Sequence, residues 1–281
     1  KGTEDNRVRK LDYSIQLSKL FYERFISNEE VSLFSPHDVP GLYDSFGTED
    51  FDELYVKYEQ DETIPRDTIG GQELILDLLK ERAETGRIYI QNIDHCNSHS
   101  SFQDKVEMSN LCQEITLPTK PIQHIDDPEG EIALCILSAI NIGKIRNVDD
   151  LEELCDLSVR SLDELIDFQG YPVQASEIAT KARRSLGIGF IGLAHYLAKQ
   201  GVKYDDPEAW KLVHTLTESF QFNLIKASVN LAKEKGACTY SDRTKYAQGI
   251  LPIDTYKKDV DELVPNDLLL DWESLRREVL E

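Results

Sequence analysis

The 281-residue chain carries 31 Lys plus Arg against 52 Asp plus Glu, a formal net charge of −21, and is 40% hydrophobic. That share of apolar residues supports a sizeable core in one large domain or two ordinary ones. The acidic excess repels a phosphate backbone and excludes a nucleic-acid groove. Apolar runs are short and interrupted by charge, well below the roughly 18 residues of a membrane span, so neither an anchor nor a secretory leader is expected. Five scattered cysteines, Cys96, Cys112, Cys135, Cys155 and Cys238, form no C-x-x-C pair. Such usage favours a reducing, cytoplasmic compartment over a disulfide framework. The chain starts at Lys1 and stops inside the helical pattern D-W-E-S-L-R-R-E-V-L-E, so it is expected to be a piece of something longer.

In chain order, L-D-Y-S-I-Q-L-S-K-L-F-Y-E-R-F-I sets Tyr13, Leu17, Leu20 and Phe21 at helical spacing, with Phe25 one turn on, and predicts a first helix. F-S-P-H-D-V-P-G breaks it. E-D-F-D-E-L-Y-V-K-Y-E-Q and G-Q-E-L-I-L-D-L-L-K-E-R-A predict two more helices, and R-I-Y-I-Q-N (87–92) a strand. Further strands are predicted at 110–117 and 132–137, joined by a turn-rich segment containing D-D-P-E-G. From Val148 onward helices dominate, interrupted by a short strand at 186–191. Asp206-Pro207 supplies a cap and an N1 proline for a helix that runs to Gly236. No fixed-period repeat appears, and the mixture of short strands with intervening helices predicts an α/β fold.

S-N-L-C-Q-E-I-T-L-P-T (109–119) alternates polar and aliphatic residues. As an extended segment it would set Asn110, Cys112, Glu114 and Thr116 on one face, with neighbouring polar Cα atoms roughly 6.6 Å apart. A sugar-sized ligand over the sulfur could then be held from both sides. The alternative is a half-solvated strand whose cysteine is a small hydrophobe. A carboxylate two residues away disfavours a thiolate, so Glu114 argues against an ordinary nucleophile. The arrangement suits a thiol that keeps its hydrogen, beside a base and an orienting amide. A histidine remote in sequence could still fold against it, which leaves a Cys–His arrangement open.

Cys135 lies in the apolar run G-E-I-A-L-C-I-L-S-A-I, where a buried strand cysteine is the simplest reading, and Cys155 and Cys238 are assigned to packing. D-H-C-N-S-H (94–99) invites a metal, yet no partner ligand pair exists elsewhere. A polar loop after a strand, with His95 and Cys96 hydrogen-bonded or buried, fits it better. G-I-G-F-I-G (187–192) matches a dinucleotide fingerprint by letter, but its glycines fall within the strand instead of between strand and helix. Close strand–helix approach accounts for them more simply. The acidic runs 149–153 and 259–262 read as solvated helix surfaces.

Taken with G-E-I-A-L-C-I-L-S-A-I-N, the stretch S-N-L-C-Q-E-I-T-L-P-T resembles the active-site region of the large (catalytic) subunit of class I ribonucleoside-diphosphate reductase. The resemblance extends over K-G-T-E-D-N-R-V-R, L-F-S-P-H-D-V-P-G-L-Y-D, G-R-I-Y-I-Q-N-I-D-H-C-N, R-R-S-L-G-I-G and G-I-L-P-I-D-T-Y-K-K-D, and so over essentially the whole chain. It implies an α/β fold, part of a ten-stranded α/β barrel with a central finger loop, helix-rich in this segment. Residues 1–281 would then be the central portion of the barrel domain, without the N-terminal regulatory cone and the C-terminal barrel part.

The implied activity is reduction of ribonucleoside diphosphates to 2′-deoxyribonucleoside diphosphates, for DNA synthesis. By the resemblance, Cys112 matches the cysteine that becomes a transient thiyl radical and abstracts the ribose 3′ hydrogen. Glu114 matches the base for the 3′-hydroxyl proton, Asn110 the amide that bonds the ribose hydroxyls, and Ser109 joins both in binding substrate. Cys135 matches one half of the redox-active pair. No cofactor is implied in this segment: a metal-containing small subunit supplies the radical, and the allosteric ATP/dNTP sites lie elsewhere. Implied partners are that small subunit, thioredoxin or glutaredoxin as reductant, and a second copy in a homodimer of the full large subunit.

The pattern also departs from the family. No cysteine precedes Cys96 to pair with Cys135, and the family's diphosphate-gripping loop, relay tyrosines and C-terminal cysteine tail find no match. The isolated segment is therefore expected to be inactive. Two other classes stay open: a dinucleotide-dependent oxidoreductase resting on G-I-G-F-I-G, and a non-catalytic interaction module.

Overall fold

The structure is a computed structural model that describes residues 11–256, 258–262 and 267–281, with the side chains of 261 and 262 outside the description. The K-G-T-E-D-N-R-V-R stretch and Lys257 therefore lie outside the described residues, as do the side chains that end the second acidic run. The chain divides into two compact units. One comprises residues up to Ser100 and Lys105–Leu117, the other Ser101–Asp104 and Pro118–Glu281.

The first unit contains β1 (Tyr13–Leu17), α1 (Lys19–Ser27), β2 (Glu30–Phe34), α2 (Leu42–Ser45), α3 (Asp50–Gln60), β3 (Arg66–Gly70), α4 (Gly71–Thr85), β4 (Ile88–Asn92) and α5 (Ile93–Ser98). The helix predicted from Tyr13 is corrected: 13–17 is a strand, paired in parallel with β4 from Tyr13↔Ile88 to Leu17↔Asn92. Ser18 then caps α1, its side chain accepting from the Phe21 N–H. A helical spacing of apolar residues yields here to a ladder partner more than seventy residues away, which no local pattern announces. β2 and β3, antiparallel from Glu30↔Gly70 to Phe34↔Arg66, carry no signal of their own in the sequence.

Val39, Leu42, Phe51 and Tyr55 form this unit's core. The Tyr55 hydroxyl is fixed between the Ser32 N–H and C=O, both at 2.8 Å, and burial pushes it up to about 12. D-H-C-N-S-H is helical, as α5, instead of a loop. Cys96 Sγ accepts from Gln91 Nε2 at 3.6 Å, and the His95 and His99 rings meet edge to face at 5.8 Å between centroids. Among the described residues no three His, Cys, Asp or Glu side chains gather to hold a metal ion.

The second unit contains β5 (Ile136–Asn141), α6 (Asp150–Phe168), α7 (Gln174–Arg183), β6 (Leu186–Ile191), α8 (Leu193–Lys199), α9 (Pro207–Lys235), α10 (Pro252–Thr255) and α11 (Trp272–Leu280). The predicted strand at 132–137 is shifted: β5 begins at Ile136 and pairs in parallel with β6 from Ile136↔Leu186 to Asn141↔Ile191. Partner length, not composition, sets where it starts. α6 and α9 pack over this pair, burying Leu151, Cys155, Leu216 and Phe220 with Ile140. Cys155 is a packing residue, its thiol pushed up to about 12 by burial.

Gly187 and Gly189 fall in β6 as predicted, whereas Gly192 lies one residue past it, between the strand and α8. A Cβ on Gly187 would meet Leu137 Cδ2 at 2.5 Å and Cys135 Sγ at 2.8 Å. Gly192, at φ 85°, opens α8 from the left-handed region, and a Cβ there would lie 2.6 Å from Asn141 Oδ1. The positive φ and the close approach at Gly192 require glycine, whereas a side chain at Gly187 would need Leu137 and Cys135 to give way. Among the described residues the six strands form three two-stranded sheets, a mixed α/β arrangement without a closed barrel. No helix of the described residues is long and apolar enough to cross a membrane.

Candidate active site

The strand predicted at 110–117 is a turn. The Gln113 N–H donates to the Asn110 carbonyl at 3.1 Å, and Gln113 sits in the left-handed region at φ 63°. The Asn110 side chain closes the same turn, its Oδ1 accepting from the Ile115 N–H at 3.0 Å, while Ser109 Oγ donates to the Asn110 carbonyl at 3.1 Å. Asparagine at the head of a turn bonds its own downstream backbone in this way. Residues 110–117 have no ladder partner among the described residues, so local hydrogen bonds prevail over alternation.

The premise of one shared face falls with the strand. A turn brings the Cα atoms at its two ends within about 7 Å, so Asn110 and Gln113 lie close, with Leu111 and Cys112 at the corner. Cys112 and Glu114 are exposed, whereas Ser109 and Asn110 are half-buried at the base. The structure thus brings 109–114 together as a compact loop tip, thiol outward and amide committed to holding the shape.

Cys135 is half-buried just before β5, against Gly187 of β6. It is not the buried strand residue that its apolar neighbours predict, since pairing begins one residue later. Cys238 is half-buried, and burial raises its thiol above the ordinary range. A further group escaped the reading of the sequence: Asp104, Glu131, Arg183 and Arg243 meet in one ion cluster. Its only sequence signal is the doubled arginine of R-R-S-L-G-I-G, because the partners come from separate segments.

The family model for the ribonucleotide reductase barrel domain matches residues 1–281. The chain belongs to that family. Ribonucleotide reductase relatives agree over nearly its whole length. Ribonucleoside-diphosphate reductase subunit alpha of Haemophilus influenzae is 59% identical over 286 residues, covering 100% of this chain and 38% of the relative. Ribonucleoside-diphosphate reductase 1 subunit alpha of Escherichia coli is 52% identical over 284 residues, covering 99% and 37%. That of Enterobacteria phage T4 is 42% identical over 287 residues, covering 99% and 37%. The chain therefore spans under two-fifths of these ribonucleotide reductase subunits. The resemblance drawn from S-N-L-C-Q-E-I-T-L-P-T is met at the level of the family, and the barrel-domain description agrees with a mixed α/β chain.

Proposed function

We propose that this chain is the thiol-bearing part of a ribonucleoside-diphosphate reductase catalytic subunit. The observation that carries the reading is the loop tip at 109–114: an exposed thiol at the corner of a turn, an exposed carboxylate two residues on, and an amide that closes the turn. Cys112 as a transient thiyl radical takes the ribose 3′ hydrogen, forming an S–H bond as the C–H bond breaks. Glu114 accepts the 3′-hydroxyl proton, as an exposed carboxylate within reach of a bound sugar can. Asn110, its Oδ1 held by Ile115, offers its amide N–H groups to the ribose hydroxyls beside Ser109. Cys135 with a second cysteine supplies two electrons and two protons for loss of the 2′-hydroxyl as water, ending as a disulfide.

The two parallel strand pairs and the antiparallel pair are then pieces of a ten-stranded barrel, completed by chain beyond these residues. The radical comes from a metal-containing small subunit, and thioredoxin or glutaredoxin restores the dithiol in a homodimer of the full large subunit. Because the chain spans 38% of its Haemophilus influenzae relative, turnover is assigned to the completed subunit and not to this portion alone.

The test uses a subunit completed by the flanking chain, with radical source and reductant supplied. Cys112→Ser is expected to abolish 3′ hydrogen abstraction, read by the absence of isotope exchange or product from 3′-labelled substrate. Cys135→Ser is expected to permit radical initiation and to block repeated dithiol-driven turnover. Normal multiple turnover by either variant refutes the division of labour.

A further inference from the structure

Residues 105–117, which carry Cys112, contain no helix and no strand. Their start is held inside the first unit, where Val106 is buried and bonds the Asn97 side chain through its N–H and C=O at 2.8 and 3.0 Å, and beyond it the precision of the thiol depends also on how the two ends of the segment are held. The residues that precede and follow it, Ser101–Asp104 and those from Pro118 onward, both belong to the second unit. Within that unit they meet the same guanidinium. Arg183 Nη1 donates to Asp104 Oδ2 at 2.9 Å, and Arg183 Nε donates to Glu131 Oε2 at 2.8 Å. Glu131 is in turn bonded both ways to Lys120 through the backbone, at 3.1 and 3.0 Å, with Lys120 Nζ 3.7 Å from Glu131 Oε1. Arg243 closes the ring, 2.8 Å from Asp104 Oδ2 and 3.9 Å from Glu131 Oε1.

The cluster is built for rigidity. The side chains of Arg183 and Glu131 are only 4% and 1% exposed, and the Arg183 and Arg243 guanidinium groups lie over the Tyr240 ring at 5.2 and 4.2 Å. Burial raises the Asp104 carboxyl, but hydrogen bonds from Arg243 and Arg183 outweigh it and hold that group below the usual carboxylate range. The entry side is pinned further where Gln103 Nε2 donates to the Asp242 and Thr244 carbonyls at 3.0 and 2.7 Å. On the exit side Pro118 is fully buried. Charge-assisted bonds in low dielectric fix direction as well as distance.

We propose that Arg183 is a positioning residue for the Cys112 thiol: its guanidinium, shared between Asp104 and Glu131, fixes both feet of the loop that carries the thiol. The role for catalysis rests on the reading of Cys112 given above, whereas the clamp itself does not. A misplacement of about 1 Å at a reacting atom costs on the order of a hundredfold in rate, so footing of this kind acts on kcat.

Removing Arg183 would strand a buried Glu131 carboxylate and endanger the fold, so the decisive variants are at the partly exposed Asp104. In this chain, Asp104→Ala is expected to speed amide exchange across 108–117 about tenfold, as loss of a charge-assisted tether predicts, with a smaller effect for Asp104→Asn, while the Val106 amide stays held by Asn97. A nitroxide on Cys112 gains mobility in step, and Asp104→Glu restores much of the lost order. Lys181→Ala, on the same helix as Arg183 but paired with Glu177, leaves 105–117 unchanged. Wild-type exchange and nitroxide mobility in Asp104→Ala overturn the clamp. In the completed subunit, Asp104→Ala lowers kcat with KM little changed; unaltered kcat beside a loosened loop overturns the positioning role. A failure of the reductase reading itself shows separately, as undiminished turnover in Cys112→Ser.

Discussion

Gly187→Ala probes how Cys135 is seated. The added Cβ would lie 2.5 Å from Leu137 Cδ2 and 2.8 Å from Cys135 Sγ, against 3.4–4 Å for ordinary contact. Leu137 is 61% exposed and can swing into solvent, so its share of the clash relaxes cheaply. Cys135 is half-buried, and its sulfur must shift by more than half an ångström. Overpacking costs about 1–3 kcal/mol, and Leu137 places this case near the low end. Replacing a strand glycine returns about 0.5–1 kcal/mol of unfolded-state entropy. The net is a loss of about 1 kcal/mol or less, or roughly 2–4 °C in a unit of this size. Gly189→Ala, with no atom within 4 Å of its Cβ, supplies the same entropy without a clash and is expected to be neutral or stabilising. The assay combines thermal melting with alkylation of Cys135 followed by peptide mass mapping. A Gly187→Ala chain that melts no lower than Gly189→Ala and keeps the wild-type Cys135 alkylation rate would refute the seating.

Glu218 of α9 is buried, and its Oε1 accepts from the Leu269 and Leu270 N–H groups and from Trp272 Nε1 at 2.8, 3.0 and 3.0 Å. Glu218→Ala leaves the buried indole N–H unsatisfied and is expected to cost about 3 kcal/mol in urea unfolding, Glu218→Gln about half of that. Equal losses would contradict the hydrogen-bond account. Asn110→Ala removes the acceptor for the Ile115 N–H and should raise exchange of that amide about 2- to 12-fold, whereas Asn110→Asp keeps the acceptor and the wild-type rate. Unchanged exchange in Asn110→Ala would show that the side chain does not close the turn. Asp150, at the head of α6, is held at about 2 by hydrogen bonds from the Arg146 side chain and backbone. Its folded value lies below the unfolded one near 4, so its contribution is present above about pH 4 and is lost as pH falls toward 2. Asp150→Asn should flatten the acid limb of a melting-temperature profile in that window, and an unaltered limb would exclude the pair as its source.

What could be read from residues alone was whatever carries its own period or punctuation. α3, α4, α6 and α9 repeat apolar residues on a helical face, and Asp206-Pro207 and Gly236 mark α9 at both ends. β4 and β6 stand where short β-branched or aromatic runs predict them. The resemblance carried by the 109–119 stretch sufficed for the family. A strand, however, exists only with its partner. β1 formed against β4 despite helical spacing, β5 started where β6 gave it a mate, and 110–117 alternated without one and folded into a turn. Only the tertiary structure decided that Asn110 closes the thiol's turn and that Asp104, Glu131, Arg183 and Arg243 meet in one ion cluster. Charges drawn from separate segments attract through space, and their spacing along the chain holds no record of that encounter.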